Sequence, residues 1–248
     1  MTARIGLVAL VALMTVCLGS AEMRAQSPGF HDHFADRTMR VDYFHTGSSE
    51  MEVISLDRVV SDGPWAGPRD RLVDESNMGK FRFEVRAADT GSLLYSRGFA
   101  SIYGEWETTA EAAEVERTFH ESLRFPWPLN PVRVALHRRT GPREFSQVWE
   151  TVIDPESRFI NAADRGAAGP VHTILDSGPP SEKVDLVLVG EGYTREQESK
   201  FLADARRLVE SLFEIEPFRA RKNDFNVRAV FVPAERPGVN RPHVGEFR

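Results

Sequence analysis

His120 and Glu121 form the pair whose residue types come closest to a catalytic motif, because a zinc-binding helix of the HExxH type begins with these two residues. Such a helix needs a second histidine four residues later on the same face, and Arg124 occupies that position. The segment Phe119–Phe125 also has apolar residues at alternate positions, which is typical of a strand with His120 on its polar face. We therefore predict a surface histidine on a β-strand here and no zinc site.

The other residues that could bind a metal or attack a substrate are isolated. His31-Asp32-His33 offers three ligands, but such a tract near a frayed chain terminus is usually a solvated tail. The sequence has no Gly-x-Ser-x-Gly elbow to present a nucleophilic serine. The remaining histidines have no ligand-spaced partner nearby, namely His45, His137, His172 and His243. We predict no metal ligand and no catalytic residue in this chain.

The loop Gly190–Thr194 follows an apolar run and precedes a helical pattern, which is the position of a phosphate-binding loop. A third glycine and a lysine are absent, and Glu191 would repel a phosphate, so nucleotide binding is disfavoured. The glycines also suit a simple tight turn. Ligand sites of open α/β sheets nevertheless lie at the carboxyl ends of the strands, so we predict that Glu191 and Tyr193 line a substrate cleft.

Residues 1–25 have the pattern of a secretory signal peptide. Arg4 is followed by the apolar run Ile5–Leu18 and then by small residues, with cleavage expected near Ala21 or Ala25. The run is shorter than the roughly 20 residues that a membrane-spanning helix needs. We expect a secreted or periplasmic protein that does not associate with a membrane after cleavage.

The composition limits the partners of the exported chain. Loss of Arg4, Glu22 and Arg24 takes the basic residues from 31 to 29 and the acidic residues from 37 to 36, so the net charge changes from −6 to −7. A mildly acidic chain without a basic cluster disfavours nucleic acid as a partner. The single cysteine, Cys17, lies in the leader, so the mature chain has no disulfide. Export without disulfides suits a bacterial protein.

Residues 26–160 are predicted to form one domain, in which apolar residues tend to recur at every second position from about Thr38 to Ile153, as in Met39–Phe44 and Val132–Leu136. This period is typical of strands with one solvated face. About seven short strands separated by Gly- and Pro-containing turns predict an all-β sandwich. Four tryptophans are available to fill its core: Trp65, Trp106, Trp127 and Trp149.

Residues 161–182 are rich in Gly, Ala, Pro and Ser and are predicted to be a linker. Residues 183–248 follow a different pattern. Val184–Val189 is a nearly continuous apolar run, as expected for a strand buried on both faces. Thr194 and Gln197 have the spacing of a capping box before an amphipathic helix, and a second apolar run follows at 225–232. These elements predict a βαβ unit.

One helix covers only one face of a parallel sheet, so the βαβ piece is predicted to be an incomplete α/β domain. On this pattern we expect a truncated chain whose missing part lies beyond its C-terminus. The predicted fold class is α+β overall, with an N-terminal all-β sandwich followed by the incomplete α/β piece.

Several segments of both halves resemble one family, the secreted zinc metallopeptidases related to the immunoglobulin A peptidase of clostridia, metallopeptidase family sixty-four. The resembling segments are Met39–Gly47, Ile54–Arg58, Gly63–Gly67, Tyr95–Phe99, Glu105–Trp106, Arg117–Pro126 and Val184–Thr194. Together they span most of the mature chain.

The resemblance implies a noncatalytic N-terminal sandwich followed by the start of a zinc peptidase domain. The family's zinc ligands cannot be placed on this sequence, because no position matches its HExxH motif. Without those ligands we expect no zinc cofactor in this chain and no peptide hydrolysis by it, and zinc only in full-length relatives. The expected partner is a protein substrate, bound through a catalytic domain. The alternative is a stand-alone secreted β-sandwich that binds protein or glycan, which exposed pairs of aromatic residues would favour.

Overall fold

The computed structural model describes residues 29–162 and 169–247, so the predicted signal peptide and Cys17 lie outside the described residues. The N-terminal half has two short helices, α1 (Phe30–His33) and α2 (Ile102–Trp106). Its seven strands are β1 (Phe34–Gly47), β2 (Glu52–Pro64), β3 (Phe81–Ala87), β4 (Leu93–Phe99), β5 (Arg117–Pro128), β6 (Val132–Arg139) and β7 (Phe145–Ile153).

These strands form two antiparallel sheets, which confirms the predicted β-sandwich. The first sheet has the order β2-β1-β5 and the second has the order β4-β3-β6-β7. Along β1, Met39, Val41 and Tyr43 are buried in the core, whereas the intervening Arg40 and Asp42 belong to the outer face. Strand periodicity thus separates a core surface from a charged surface.

The tryptophans belong to the core, which extends between the two sheets. Trp65 and Trp127 are buried, and Trp106 and Trp149 are partly buried against the same cluster. Large aromatic side chains bury much apolar surface, so they contribute strongly to a core that has no disulfide to support it.

The C-terminal half is a three-stranded sheet with one long helix. Its elements are β8 (Val171–Leu175), β9 (Val184–Val189), α3 (Glu198–Leu212) and β10 (Phe225–Val230). Strands β9 and β10 are parallel and are joined through α3, so the predicted βαβ unit is confirmed. The helix packs Phe201, Ala205 and Val209 against β10.

Strand β8 is a departure from the prediction, because it lies inside the segment 161–182 that was expected to be a linker. It pairs antiparallel with β10 and gives the sheet the order β8-β10-β9. Its five residues alternate only briefly between apolar and polar side chains, and Pro- and Gly-containing segments lie on both sides of it. This segment is a strand because it pairs with a strand far away in the sequence, and no local pattern predicts that pairing.

The expected burial of β9 on both faces is wrong. Val187 is 57% exposed and Val189 is 67% exposed, whereas Leu186 and Leu188 pack under α3. The reason is that β9 is an edge strand and the single helix covers one face of the sheet. Within the described ranges, we find no helix with the length and apolar character needed to cross a membrane.

Candidate functional site

His120 and Glu121 lie in β5 and point to opposite faces of the first sheet, because neighbouring residues of a strand alternate. His120 is on the outer face, where its Nε2 lies 3.1 Å from Asp57 Oδ2. The Glu121 side chain turns to the core side, where Tyr43 donates a hydrogen bond to its Oε2 at 2.9 Å. The predicted surface histidine on a strand is confirmed, and the two side chains cannot bind one ion together.

The outer face brings together three groups of the types that bind metals. One ligand atom from each of Asp42, Asp57 and His120 lies within 4.8 Å of the others. Two arginines already occupy Asp42: Arg40 Nε donates to its Oδ1 at 2.7 Å and Arg58 Nε donates to its Oδ2 at 2.8 Å. A cation here would have to displace a guanidinium, so this group is an ion-pair network and not a metal centre.

The two arginines also affect the pKa of Asp42. Burial disfavours its carboxylate, but the hydrogen bonds from Arg40 and Arg58 outweigh that effect, so the pKa of Asp42 is lowered from 3.8. Among the described residues, no donor set therefore fits the zinc ion that the resemblance implies.

The tract His31-Asp32-His33 forms most of helix α1. Phe30 anchors this turn in the sandwich core, while His31 and Asp32 are exposed. The tract is therefore a surface helical turn and not a frayed tail. The apolar Phe30 accounts for the difference, because its burial fixes the turn that follows it.

The loop that contains Glu191 is shaped by close packing of two backbone segments. Gly192 has φ +76°, and a Cβ there would lie 2.3 Å from the carbonyl oxygen of Gly238. Gly238 N donates to Gly192 O at 2.9 Å, and Ala234 N donates to Tyr193 O at 2.8 Å. The segment after β10 is thereby attached to the carboxyl end of β9, where only glycine fits.

An open cleft of about 450 Å³ lies at this junction, at the end of the strands where α/β sheets bind ligands. It is lined by Glu191, Gly192, Ala234, Glu235, Arg236, Gly238, Asn240 and Phe247. The far wall at 234–247 was not anticipated, because this segment has neither periodicity nor a motif. Its contacts with the Gly192 loop place it there.

Tyr193 does not line this cleft with Glu191, because its side chain packs on α3. Its ring centroid lies 5.4 Å from that of Phe201, and its Oη donates to Asp204 Oδ2 at 3.1 Å. Burial raises the pKa of Tyr193, and the hydrogen bond to Asp204 raises it further. Tyr193 therefore attaches the loop to the helix, and Glu191 is the residue of the predicted pair that reaches the cleft.

Comparison with known protein families gives two matches in order along the chain. A family model described as Peptidase M64 N-terminus matches residues 29–150, which include the seven strands of the sandwich except the end of β7. A second model, described as IgA Peptidase M64, matches residues 172–248. No curated protein matched the chain.

Proposed function

This chain belongs to the peptidase M64 family, and on that premise we propose that it is the noncatalytic N-terminal portion of an exported zinc metallopeptidase related to immunoglobulin A peptidases. The observation that carries the proposal is the order of the two family matches, one on the sandwich and one on the C-terminal sheet and helix. Each region has hydrophobic clusters of its own, as separate modules do.

We further propose that this chain does not hydrolyse peptide bonds by itself. Zinc peptidases need imidazoles to hold the ion and a glutamate to activate its water. The one His-Glu pair of the sequence, His120-Glu121, lies on a strand with its side chains on opposite faces, and Arg124 follows at the fourth position. Zinc chemistry is therefore assigned to family members that carry the complete motif.

The sandwich is proposed to serve as a structural module and not as a glycan- or protein-binding one. A binding face would present aromatic rings in pairs, but Trp65 and Trp127 are only 9% and 7% exposed. Trp106 and Trp149 also pack against the core. The tryptophans are thus used for stability, in keeping with a chain that has no disulfide.

The cleft beside Glu191 is proposed to belong to the part of the peptidase domain that contacts a protein substrate. Its position at the carboxyl ends of β9 and β10 supports this role. Carboxylate, guanidinium and amide groups from Glu191, Arg236 and Asn240 line it, and groups of these types form hydrogen bonds with peptides.

Export is proposed from residues 1–25, whose basic start, apolar run and small residues suit a signal peptide. A periplasmic or secreted location in a bacterium also suits the absence of cysteine after Cys17.

One preparation tests both parts of the proposal. The full chain is expressed in a bacterial host, purified from the periplasm, and its N-terminus is determined by mass spectrometry, with cleavage expected near Ala21 or Ala25. Zinc content is then measured after dialysis, and hydrolysis of a fluorescent casein is followed with and without a chelator. We expect well under one zinc ion per molecule and no chelator-sensitive hydrolysis.

The matched variant is His120→Ala, which removes the one histidine of the HE pair and should change neither measurement. Stoichiometric zinc with chelator-sensitive hydrolysis in the parent chain would contradict the proposed inactivity. Loss of that zinc in His120→Ala would place the overlooked site on the outer face of the sandwich. Retention of the protein in the cytoplasm with an intact N-terminus would contradict export.

A further inference from the structure

His45 is a fully buried histidine at the end of β1, and both of its ring nitrogens face carboxylates. Its Nδ1 lies 3.0 Å from Glu121 Oε2 on β5, and its Nε2 lies 2.8 Å from Glu52 Oε1 on β2. Only 1% of its side chain is exposed. One imidazole therefore bridges the central strand of the first sheet to both of its neighbours.

This geometry requires a particular protonation state. A neutral imidazole has one N–H and one lone pair, whereas the imidazolium has two N–H donors. With ionised carboxylates on both sides, the neutral ring would point a lone pair at a carboxylate oxygen about 3 Å away. The imidazolium instead donates two charge-assisted hydrogen bonds, so the bridge is complete only when His45 carries its proton.

The surrounding charges balance when His45 is protonated. The ring contacts Glu52, Glu121, Tyr43 and Tyr103, and Glu52 connects it through Arg138 of β6 to Glu107 and to Lys80 just before β3. Arg138 contacts Glu52 at 3.0 Å and Glu107 at 2.8 Å, and Lys80 also pairs with Glu107. Three carboxylates thus face two permanent cations, and the imidazolium supplies the third positive charge.

The same contacts shift the pKa values of the groups in this cluster. Burial disfavours the imidazolium, but the hydrogen bonds to Glu121 and Glu52 outweigh it, and the pKa of His45 is raised from 6.5. Burial also disfavours the two carboxylates. The hydrogen bond from His45 outweighs it with help from other donors, so the pKa values of Glu52 and Glu121 are lowered from 4.5.

The bridge is connected to two surface segments through Tyr103 of α2. The Tyr103 ring stacks on His45 with a centroid separation of 3.8 Å, and its backbone N–H donates to Glu121 Oε1 at 3.1 Å. Its Oη contacts the carbonyl oxygens of Ser48 and Met51 at 3.0 and 2.9 Å. Helix α2 and the turn at 48–51 therefore depend on the same set of contacts.

We propose that protonated His45 is a pH-sensitive clasp that joins β1 to β2 and β5, and that its deprotonation loosens the turn at 48–51 and helix α2. The clasp contributes its full stability below the pKa of histidine in the unfolded chain, because His45 is protonated there in both the folded and the unfolded protein. The contribution is lost as the pH rises through the raised pKa of the folded state. The clasp lies within the sandwich and does not depend on the proposed function.

The test follows the His45 imidazole of the full chain by ¹⁵N NMR while amide hydrogen exchange is measured from about pH 6 to about pH 10, a range that spans histidine titration. At neutral pH we expect both ring nitrogens to be protonated. After correction for the intrinsic pH dependence of exchange, amides in 48–51 and 102–106 should exchange about tenfold faster once His45 has lost its proton.

Two variants make the test specific. Glu52→Gln removes one of the two carboxylates that stabilise the imidazolium, and the midpoint of the His45 titration should fall by about one pH unit. Asp57→Asn removes the carboxylate beside the exposed His120 and should leave that midpoint unchanged. A single unprotonated ring nitrogen in the parent chain at neutral pH, or an unchanged midpoint in Glu52→Gln, would overturn the proposal. If Glu52→Gln does not fold, the protonation state of the His45 ring nitrogens in the parent chain still tests the proposal.

Discussion

Two charged residues on the outer face of the sandwich, Arg40 and Asp42, are buried, and they are hydrogen-bonded to each other. Arg40 is 7% exposed and Asp42 is 2% exposed, although both lie on the side of β1 that points away from the core. An unpaired charge at this depth would be very unfavourable. Asp42 therefore contributes to stability mainly by compensating the guanidinium groups of Arg40 and Arg58.

We expect Asp42→Asn to lower the free energy of unfolding by about 3 kcal/mol, because it leaves a buried guanidinium without its main partner. Urea denaturation of the sandwich, followed by tryptophan fluorescence, measures this loss. The control is Asp36→Asn, which removes an exposed pair with Arg69 and should cost less than about 1 kcal/mol. Equal losses for the two variants would show that burial of the pair is unimportant.

Asp42→Asn should also change how the free energy of unfolding depends on pH in acid. A carboxylate with a lowered pKa contributes stability above its unfolded pKa and loses that contribution as the pH falls through the folded value. The pKa of Asp42 is lowered from 3.8, so part of the parent's stability disappears below that pH. Asp42→Asn should lack this part of the acid transition.

Among the secondary-structure elements, the backbone conformation of one glycine determines how the βαβ unit meets the cleft beside Glu191. Strand β9, helix α3 and strand β10 could be predicted from their apolar periods and from the Thr194 cap, whose N–H donates to Gln197 Oε1 at 3.0 Å. The turn between β9 and α3 also needs Gly192, because its backbone is left-handed and touches the segment after β10. A residue with a side chain would separate these two segments.

Gly192→Ala is therefore expected to destabilise the C-terminal unit more than Gly245→Ala. Both positions have φ near +75°, so each substitution costs about 1 kcal/mol in backbone conformation. A Cβ at Gly245 meets nothing within 4 Å, whereas one at Gly192 meets the backbone of Gly238. The clash should add about 1–3 kcal/mol, measured as faster hydrogen exchange of the α3 amides. Similar exchange rates in the two variants would argue against the close packing of these segments.

Among the residues that the structure describes, the hydrophobic clusters of the sandwich and of the C-terminal unit have no buried residue in common. The sandwich core draws on both sheets and on all four tryptophans. The C-terminal clusters lie under one helix, and the other face of that sheet leaves Val187 and Val189 largely exposed. Less apolar burial means less stabilisation, so the two units should differ in their resistance to opening.

Limited digestion with a nonspecific protease should leave a resistant fragment that contains the sandwich and ends near Ala162. Phe83 and Phe201 are matched probes, since each is 4% exposed in its own core. Phe83→Ala should remove the fragment, because truncating a buried phenylalanine costs about 3–5 kcal/mol. Phe201→Ala should leave the fragment unchanged. Loss of the sandwich fragment in Phe201→Ala would show that the units are stabilised together.

The family, the sandwich, the βαβ unit and the outward orientation of His120 can be predicted from the sequence, since local periodicity and ordered motifs indicate which face of an element is apolar. The three-dimensional structure was needed to show that β8 is a strand, that the segment after β10 forms the second wall of the cleft, and that His45 bridges two carboxylates. His45 and Glu121 are 76 residues apart, and β8 pairs with a strand some 50 residues later in the chain. Such contacts depend on how sheets assemble in space, and no local pattern of residue types contains that information.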